Sequence, residues 1–290
     1  MKENIKGKEK IMEYVFLFSA CISIIALLLI SIFIFKNGIP AMKEIGIFNF
    51  LLGKKWAPSN VPPAFGILPM ILGSIYITIG AVIFGVPIGI LTAIYISYFA
   101  PRKIYRFLKK GINLLAGIPS IVYGFFGLIV LVPFVKKTFY MFDTDGNSIF
   151  TASILLGIMI LPTIIGISES AINAVDKTYY EGAVALGATH ERAVSKVIVP
   201  AAKSGIISSV ILGIGRAIGE TMAVVMVAGN QPRMPNGLFN GARTLTSNIV
   251  IEMGYAADLH RGALIATATV LFIFILLINI GLMFFKRRMK

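Results

Sequence analysis

Six apolar runs, at residues 11–35, 66–99, 112–135, 149–174, 204–228 and 262–285, divide this chain, and each is long enough to cross a bilayer as a helix. In 290 residues that are 57% hydrophobic and only 14% charged, so many apolar side chains cannot be hidden from water. The bilayer must therefore be the solvent, and the expected fold is all-α: a polytopic membrane protein with six transmembrane helices. Residues 1–10 read as a cytoplasmic tail and 11–35 as a retained first span. That run is longer than a signal-peptide core, and no small-x-small cleavage site follows it. Residues 36–65 form a Pro- and Gly-rich extracytoplasmic loop with Trp56 as an interface anchor. Residues 66–290 are the helical core, interrupted by a polar connector at about 176–203.

Local composition adds expectations to the spans. Pro69 and Pro87 should bend the second, and Gly85 and Gly89 in GVPIG offer a surface for close helix packing. The third, with AGIPSIVYGFFG, should be irregular, and the fourth should break near Pro162. Residues 244–255 should form a short amphipathic helix lying at the surface. Asp143 and Asp145 have the spacing of a calcium loop without its other ligands, so they read as a solvated turn.

Basic residues orient the spans. The N-terminus, the 101–110 segment, the connector and the C-terminus hold 17 Lys and Arg, against nine in the alternate segments. The positive-inside rule places both termini and the connector in the cytoplasm. The net charge of +14 is thereby spent on orientation, and no nucleic-acid partner is expected. Several chemistries are excluded. Cys21 is the only cysteine, and His190 and His260 lie too far apart in sequence for an HExxH zinc site, so no metal is expected. There is no GxxxxGK[ST] loop, so the chain hydrolyses no nucleotide by itself. Its spans offer no convincing nucleophile–base set, so no catalytic residue is assigned.

The connector is more structured than a tether needs to be. Thr178–Glu181 fits a capping box, Gly187 suits a left-handed helix end, and Thr189 can cap a second helix that ends near Pro200. Two short helices joined at a glycine make an elbow, with Ala183, Ala185 and Ala188 leaving a smooth surface for a partner. An ordinary cytoplasmic loop is the alternative.

Glu181-Gly182-Ala183, three residues, Gly187, nine residues, then Val197-Ile198-Val199-Pro200 resembles the EAA loop of ABC importer permeases. Gly182 replaces the usual first alanine, and Val197 and Val199 replace Ile and Leu. FGILPMILGSIYIT, AGIPSIVYGFFG, GRAIGETMAV and RTLTS resemble the PstC-type permease of the bacterial phosphate importer, from Trp56 onward. The resemblance implies a type I ABC importer permease that binds no cofactor of its own. Its partners would be a PstA-type permease, an ABC ATPase dimer carrying ATP and magnesium, an extracytoplasmic phosphate-binding protein and membrane lipid. Glu181, Gly182, Ala183, Leu186, Gly187, Ala188 and Pro200 would form the loop that couples to the ATPase.

The fifth run carries Arg216 and Glu220 among apolar residues. At about 100° per residue, Gly205, Ser209, Leu212, Gly213, Arg216, Gly219, Glu220, Ala223 and Val227 share one helical face. An arginine at mid-helix costs about 2.5–3.5 kcal/mol to insert, so such residues usually face a cavity and mark a pathway. With the importer in view, Arg216, Glu220, Ser209, Gly213 and Gly219 are assigned to the substrate pathway. Arg216 would receive the phosphate and Glu220 would hold the guanidinium when the site is empty. A structural Arg216–Glu220 pair is the alternative. Glu169 and Asp176 are weaker candidates for gate contacts, against solvated helix ends. Thr244, Thr246, Ser247 and Asn248 could meet the binding protein or line an outer gate. Competing functions are a permease for another oxyanion or small solute, and a stand-alone channel.

Overall fold

The computed structural model describes residues 2–288, without the side chains of residues 2–9, 11, 282 and 285–288. Lys290 and the side chains of Lys286, Arg287 and Arg288 thus lie outside the described residues, as do those of Lys2, Lys6 and Lys8. The elements in chain order are α1 (Lys2–Ile45), α2 (Ile47–Leu52), β1 (Trp56–Ala57), β2 (Ala64–Phe65), α3 (Leu68–Ile94), α4 (Arg102–Gly117), α5 (Ser120–Phe126) and α6 (Val132–Thr138). They continue with α7 (Ile149–Asn173), α8 (Lys177–Ala185), α9 (His190–Ala193), α10 (Val199–Ala201), α11 (Lys203–Gly219), α12 (Met222–Val227), α13 (Leu245–Glu252) and α14 (Asp258–Arg288). Single π turns extend α3 (Tyr95–Phe99), join α5 to α6 (Gly127–Leu131) and join α9 to α10 (Val194–Ile198).

Among the described residues, five helical segments are long and apolar enough to span a membrane: Met12–Ile45, Leu68–Phe99, Ser120–Thr138, Ile149–Asn173 and Asp258–Gly281. A sixth crossing needs α11, whose axis turns by 67° from the preceding His190–Ala201 segment. The fold is the all-helical polytopic one expected, apart from the two-residue strands β1 and β2, which pair antiparallel.

Several boundaries differ from the sequence expectation. Residues 2–10 are helical, because α1 starts at Lys2 ahead of the apolar span that begins at Met12, and it runs through Pro40 to Ile45. The basic segment at 101–110 is not a loop but the first part of α4, so the third span starts at Ser120, after Pro119. Proline lacks a donor and holds its predecessor extended, which separates the two helices there. α7 continues unbroken through Pro162, and Pro69 sits in the first turn of α3, where no intrahelical donor is required.

The densest packing joins α3 to α7, and glycine makes it possible. A Cβ at Gly80 would fall 2.2 Å from the Ser153 hydroxyl, and one at Gly85 would fall 2.8 Å from the Gly157 carbonyl. Hydrocarbon offers no hydrophobic drive for helix association, so this close approach supplies contact energy instead. Ile77, Ala81, Leu155, Leu156, Met159, Ile160 and Ile164 fill the centre with Ala217 and Ala223. A second cluster at the connector end includes Ile172, Ile198 and Ile206. A third, at the opposite end, gathers Phe50, Trp56, Phe65, Met70, Leu245 and Leu264. Trp56 is therefore a core residue and not an interface anchor: it is buried, and its indole N–H donates to Glu252 Oε2 at 2.9 Å.

Candidate functional site

The fifth crossing is broken in its apolar stretch. α11 stops at Gly219, Glu220 is extended (φ −69°, ψ 134°), and α12 begins at Met222. A break inside a membrane exposes backbone groups that must find partners within the chain. Glu220 supplies several of them. Its Oε1 accepts from the backbone N–H of Thr221 (3.1 Å) and of Ala223 (3.2 Å), and its own carbonyl accepts from the Thr246 hydroxyl (3.0 Å).

This geometry corrects the picture of Arg216 and Glu220 as an i, i+4 pair. Glu220 has left the helix, its carboxylate is committed to the start of α12, and no ion pair joins the two among the described residues. Arg216 instead donates from Nη1 to Thr163 Oγ1 at 3.2 Å and is otherwise exposed on the single chain. Gly219 beside it is also exposed, with nothing within 4 Å of where a Cβ would stand.

Ser209 and Gly213 lie elsewhere. Ser209 Oγ is buried and 2.7 Å from Ser168 Oγ on α7, and a Cβ at Gly213 would meet Ile164 at 3.0 Å. The small-residue face of α11 thus divides in two. Gly205, Ser209 and Gly213 seat the helix on α7, while Leu212, Arg216 and Gly219 look outward from the chain.

Thr244, Thr246, Ser247 and Asn248 are buried, not spread on a surface. Thr244 caps α13 by accepting from Ser247 N–H at 3.1 Å, and Ser74 on α3 accepts from Leu245 N–H at 3.0 Å. These side chains are inside the bundle, and Thr246 touches the break itself. Sequence reasoning missed what holds α13 there. Arg243 pairs with Glu252 and donates to Asn248 Oδ1 at 3.0 Å, while His260 Nε2 lies 2.8 Å from Glu252 Oε2. The available signal was one arginine and one glutamate in an otherwise weakly charged stretch.

At the connector end, Glu169 is buried and paired, so it is not a solvated helix end. It meets Lys109 and accepts from the Tyr105 hydroxyl at 3.1 Å, clamping α4 to α7. That bond to Glu169, then its charge, raises the Tyr105 pKa. Asp176 is exposed and structural. Its Oδ1 accepts from Thr178 N–H and hydroxyl, both at 2.9 Å, making Asp176 the cap of α8 in place of the expected capping box on Thr178. Asp143 and Asp145 are exposed, and among the described residues no His, Cys, Asp or Glu group could hold a metal.

The elbow forms as two helices joined at a glycine. Gly187 adopts φ +86°, its N–H bonds to Val184 O (2.9 Å) and Ala188 N–H bonds to Ala183 O (3.1 Å), a Schellman closure. Thr189 caps α9 by accepting from Arg192 N–H at 3.4 Å. Glu181, Gly182, Leu186, Gly187 and Pro200 are exposed, Ala183 and Ala188 are half-buried, and Leu186 presents 92% of its surface.

Residues 85–290 match the family profile described as binding-protein-dependent transport system inner membrane component. The chain is 40% identical to the "Probable ABC transporter permease protein YqgH" of Bacillus subtilis, covering 90% of this chain and 86% of the relative. It is 34% identical to the "Phosphate transport system permease protein PstC" of Mesorhizobium japonicum, covering 86% and 81%. Among solved structures, an inward-facing form of the MetNI methionine ABC transporter superposes with TM-score 0.62 at 20% identity, covering 77% of this chain and 96% of that one. A bacterial alginate ABC transporter gives 0.61 at 16% identity, covering 97% and 96%. The last two are likenesses of fold.

Proposed function

The chain belongs to the family of binding-protein-dependent transport system inner membrane components, and we propose on that premise that it is the permease subunit of an ATP-driven importer of inorganic phosphate. The observation that carries the substrate is the identity to phosphate permeases, 34% over 267 residues in one relative and 37% over 243 in another. A permease for another oxyanion, or a channel working alone, has no comparable support.

The protein is a multi-pass inner-membrane protein, and the distribution of basic residues favours both termini and the elbow in the cytoplasm. ATP hydrolysis resides on a partner ATPase dimer, which docks on the exposed elbow from Glu181 to Ala188. A PstA-type permease covers the open side of α11 and completes the pathway. An extracytoplasmic phosphate-binding protein delivers the anion from the opposite end.

Arg216 is the anion's contact in the pathway. A guanidinium keeps its charge and presents a planar fork of donors that matches phosphate oxygens. Held by Thr163 alone among the described residues, it has donors to spare. Glu220, capping α12, closes the break and places a negative charge near the anion's route, which disfavours prolonged binding. Ser209 and Gly213 support the pathway from behind by seating α11 on α7, and Gly219 leaves space beside the arginine. The test is reconstitution with the partner subunits. Phosphate-loaded binding protein should raise ATP hydrolysis and sulfate should not; equal stimulation by both, or transport without any ATPase, would contradict the assignment.

A further inference from the structure

The elbow carries a joint that the pathway does not use. His190, the first residue of α9, has its Nδ1 2.8 Å from the Tyr180 hydroxyl on α8 and its Nε2 3.1 Å from the Tyr98 carbonyl at the end of α3. A carbonyl only accepts, so Nε2 carries the hydrogen and donates to Tyr98, while Nδ1 and the Tyr180 hydroxyl share the second bond. The ring also meets Phe99, with centroids 4.8 Å apart at 69°. One imidazole thus ties together three elements.

Its neighbours make the tie mechanically significant. α8 has no buried residue, while Tyr180 is one of its few side chains packed against the cluster at this end of the bundle. Tyr98 belongs to the π turn Tyr95–Phe99, and a second π turn, Val194–Ile198, follows α9 directly. Such turns are weak points in a helix and gather at functional sites. Packing alone permits α8 to roll, whereas two hydrogen bonds leaving one rigid ring in different directions fix its angle.

We propose that His190 is a positioning residue for energy coupling, transmitting displacement of α8 to the end of α3. This rests on the elbow being the ATPase-docking element.

The experiment uses the complete importer in proteoliposomes, measuring phosphate imported per ATP hydrolysed, with ATPase retention checked by pull-down. For His190→Ala, hydrolysis should continue while the phosphate-to-ATP ratio falls about tenfold, the worth of a lost hydrogen bond or two. His190→Gln, which retains an N–H donor and an oxygen acceptor, should recover most of the ratio, and Tyr180→Phe should fall between. A wild-type ratio in His190→Ala overturns the proposal, as does a His190→Gln complex that assembles but is no better than His190→Ala. If His190→Ala fails to assemble, Tyr180→Phe decides: an unchanged ratio overturns the proposal. A wild-type complex whose hydrolysis ignores phosphate would instead remove the parent reading, whatever His190 does.

Discussion

The Thr246 hydroxyl donates to the Glu220 carbonyl over 3.0 Å, bonding α13 directly to the break in the fifth crossing. Thr246 is buried and its oxygen also lies 3.0 Å from Thr244 Oγ1, while Glu220 is half-buried. Thr246→Val, which keeps the shape and removes the donor, should lower stability by about 1 kcal/mol. Thr246→Ser should restore it. Thermal unfolding of the purified assembly in detergent measures both, and equal melting of Thr246→Val and wild type would show the bond to be idle.

Glu252 is buried with Arg243, His260 and Trp56 around it. Arg243→Met removes its main counter-charge, and the stranded carboxylate should cost about 3–5 kcal/mol. The double variant Arg243→Met/Glu252→Leu should be more stable than Arg243→Met. Denaturation in a series of detergents ranks them.

Leu186 presents 92% of its surface at the end of α8. Leu186→Asp should leave folding unchanged while weakening ATPase association about tenfold or more, as expected for an apolar anchor at the centre of an interface. Co-purification of the ATPase with the variant reports the loss.

Asp176 accepts two hydrogen bonds from Thr178, the backbone N–H first, and these hold its carboxyl below the usual aspartate value of 3.8. A depressed folded-state pKa stabilises the start of α8 fully above that usual value, and the contribution is lost as pH falls through the folded one. Hydrogen exchange should show residues 177–180 losing protection on acidification. Asp176→Asn, which caps without titrating, should not show this step.

The five apolar spans and the elbow were legible in the sequence because each rests on a local rule: apolar length, a glycine at a left-handed helix end, a threonine before a helix. What was missed is non-local. Extending helical geometry from Arg216 to Glu220 assumes an unbroken helix, and it fails because a carboxylate can cap the segment after a break as readily as pair along a face. Trp56 and Glu252 lie 196 residues apart, and nothing in either local sequence announces their bond. Thr244 to Asn248 looked like a surface segment because small polar side chains are equally at home in water and in a fully bonded interior. His190 carried no signal beyond its residue type. Its role comes from Tyr98 and Tyr180, brought to it by the packing of α3 and α8.

The central claim is that Arg216, on the open side of a broken crossing, receives the anion. The direct measurement is ATP-dependent phosphate uptake by proteoliposomes holding the complete importer with Arg216 intact, as Arg216→Lys and as Arg216→Ala. Loss of charge-assisted bonds at this site predicts uptake reduced about 10- to 100-fold in Arg216→Ala, with Arg216→Lys between it and wild type. Uptake at the wild-type rate by an assembled Arg216→Ala complex would contradict the account.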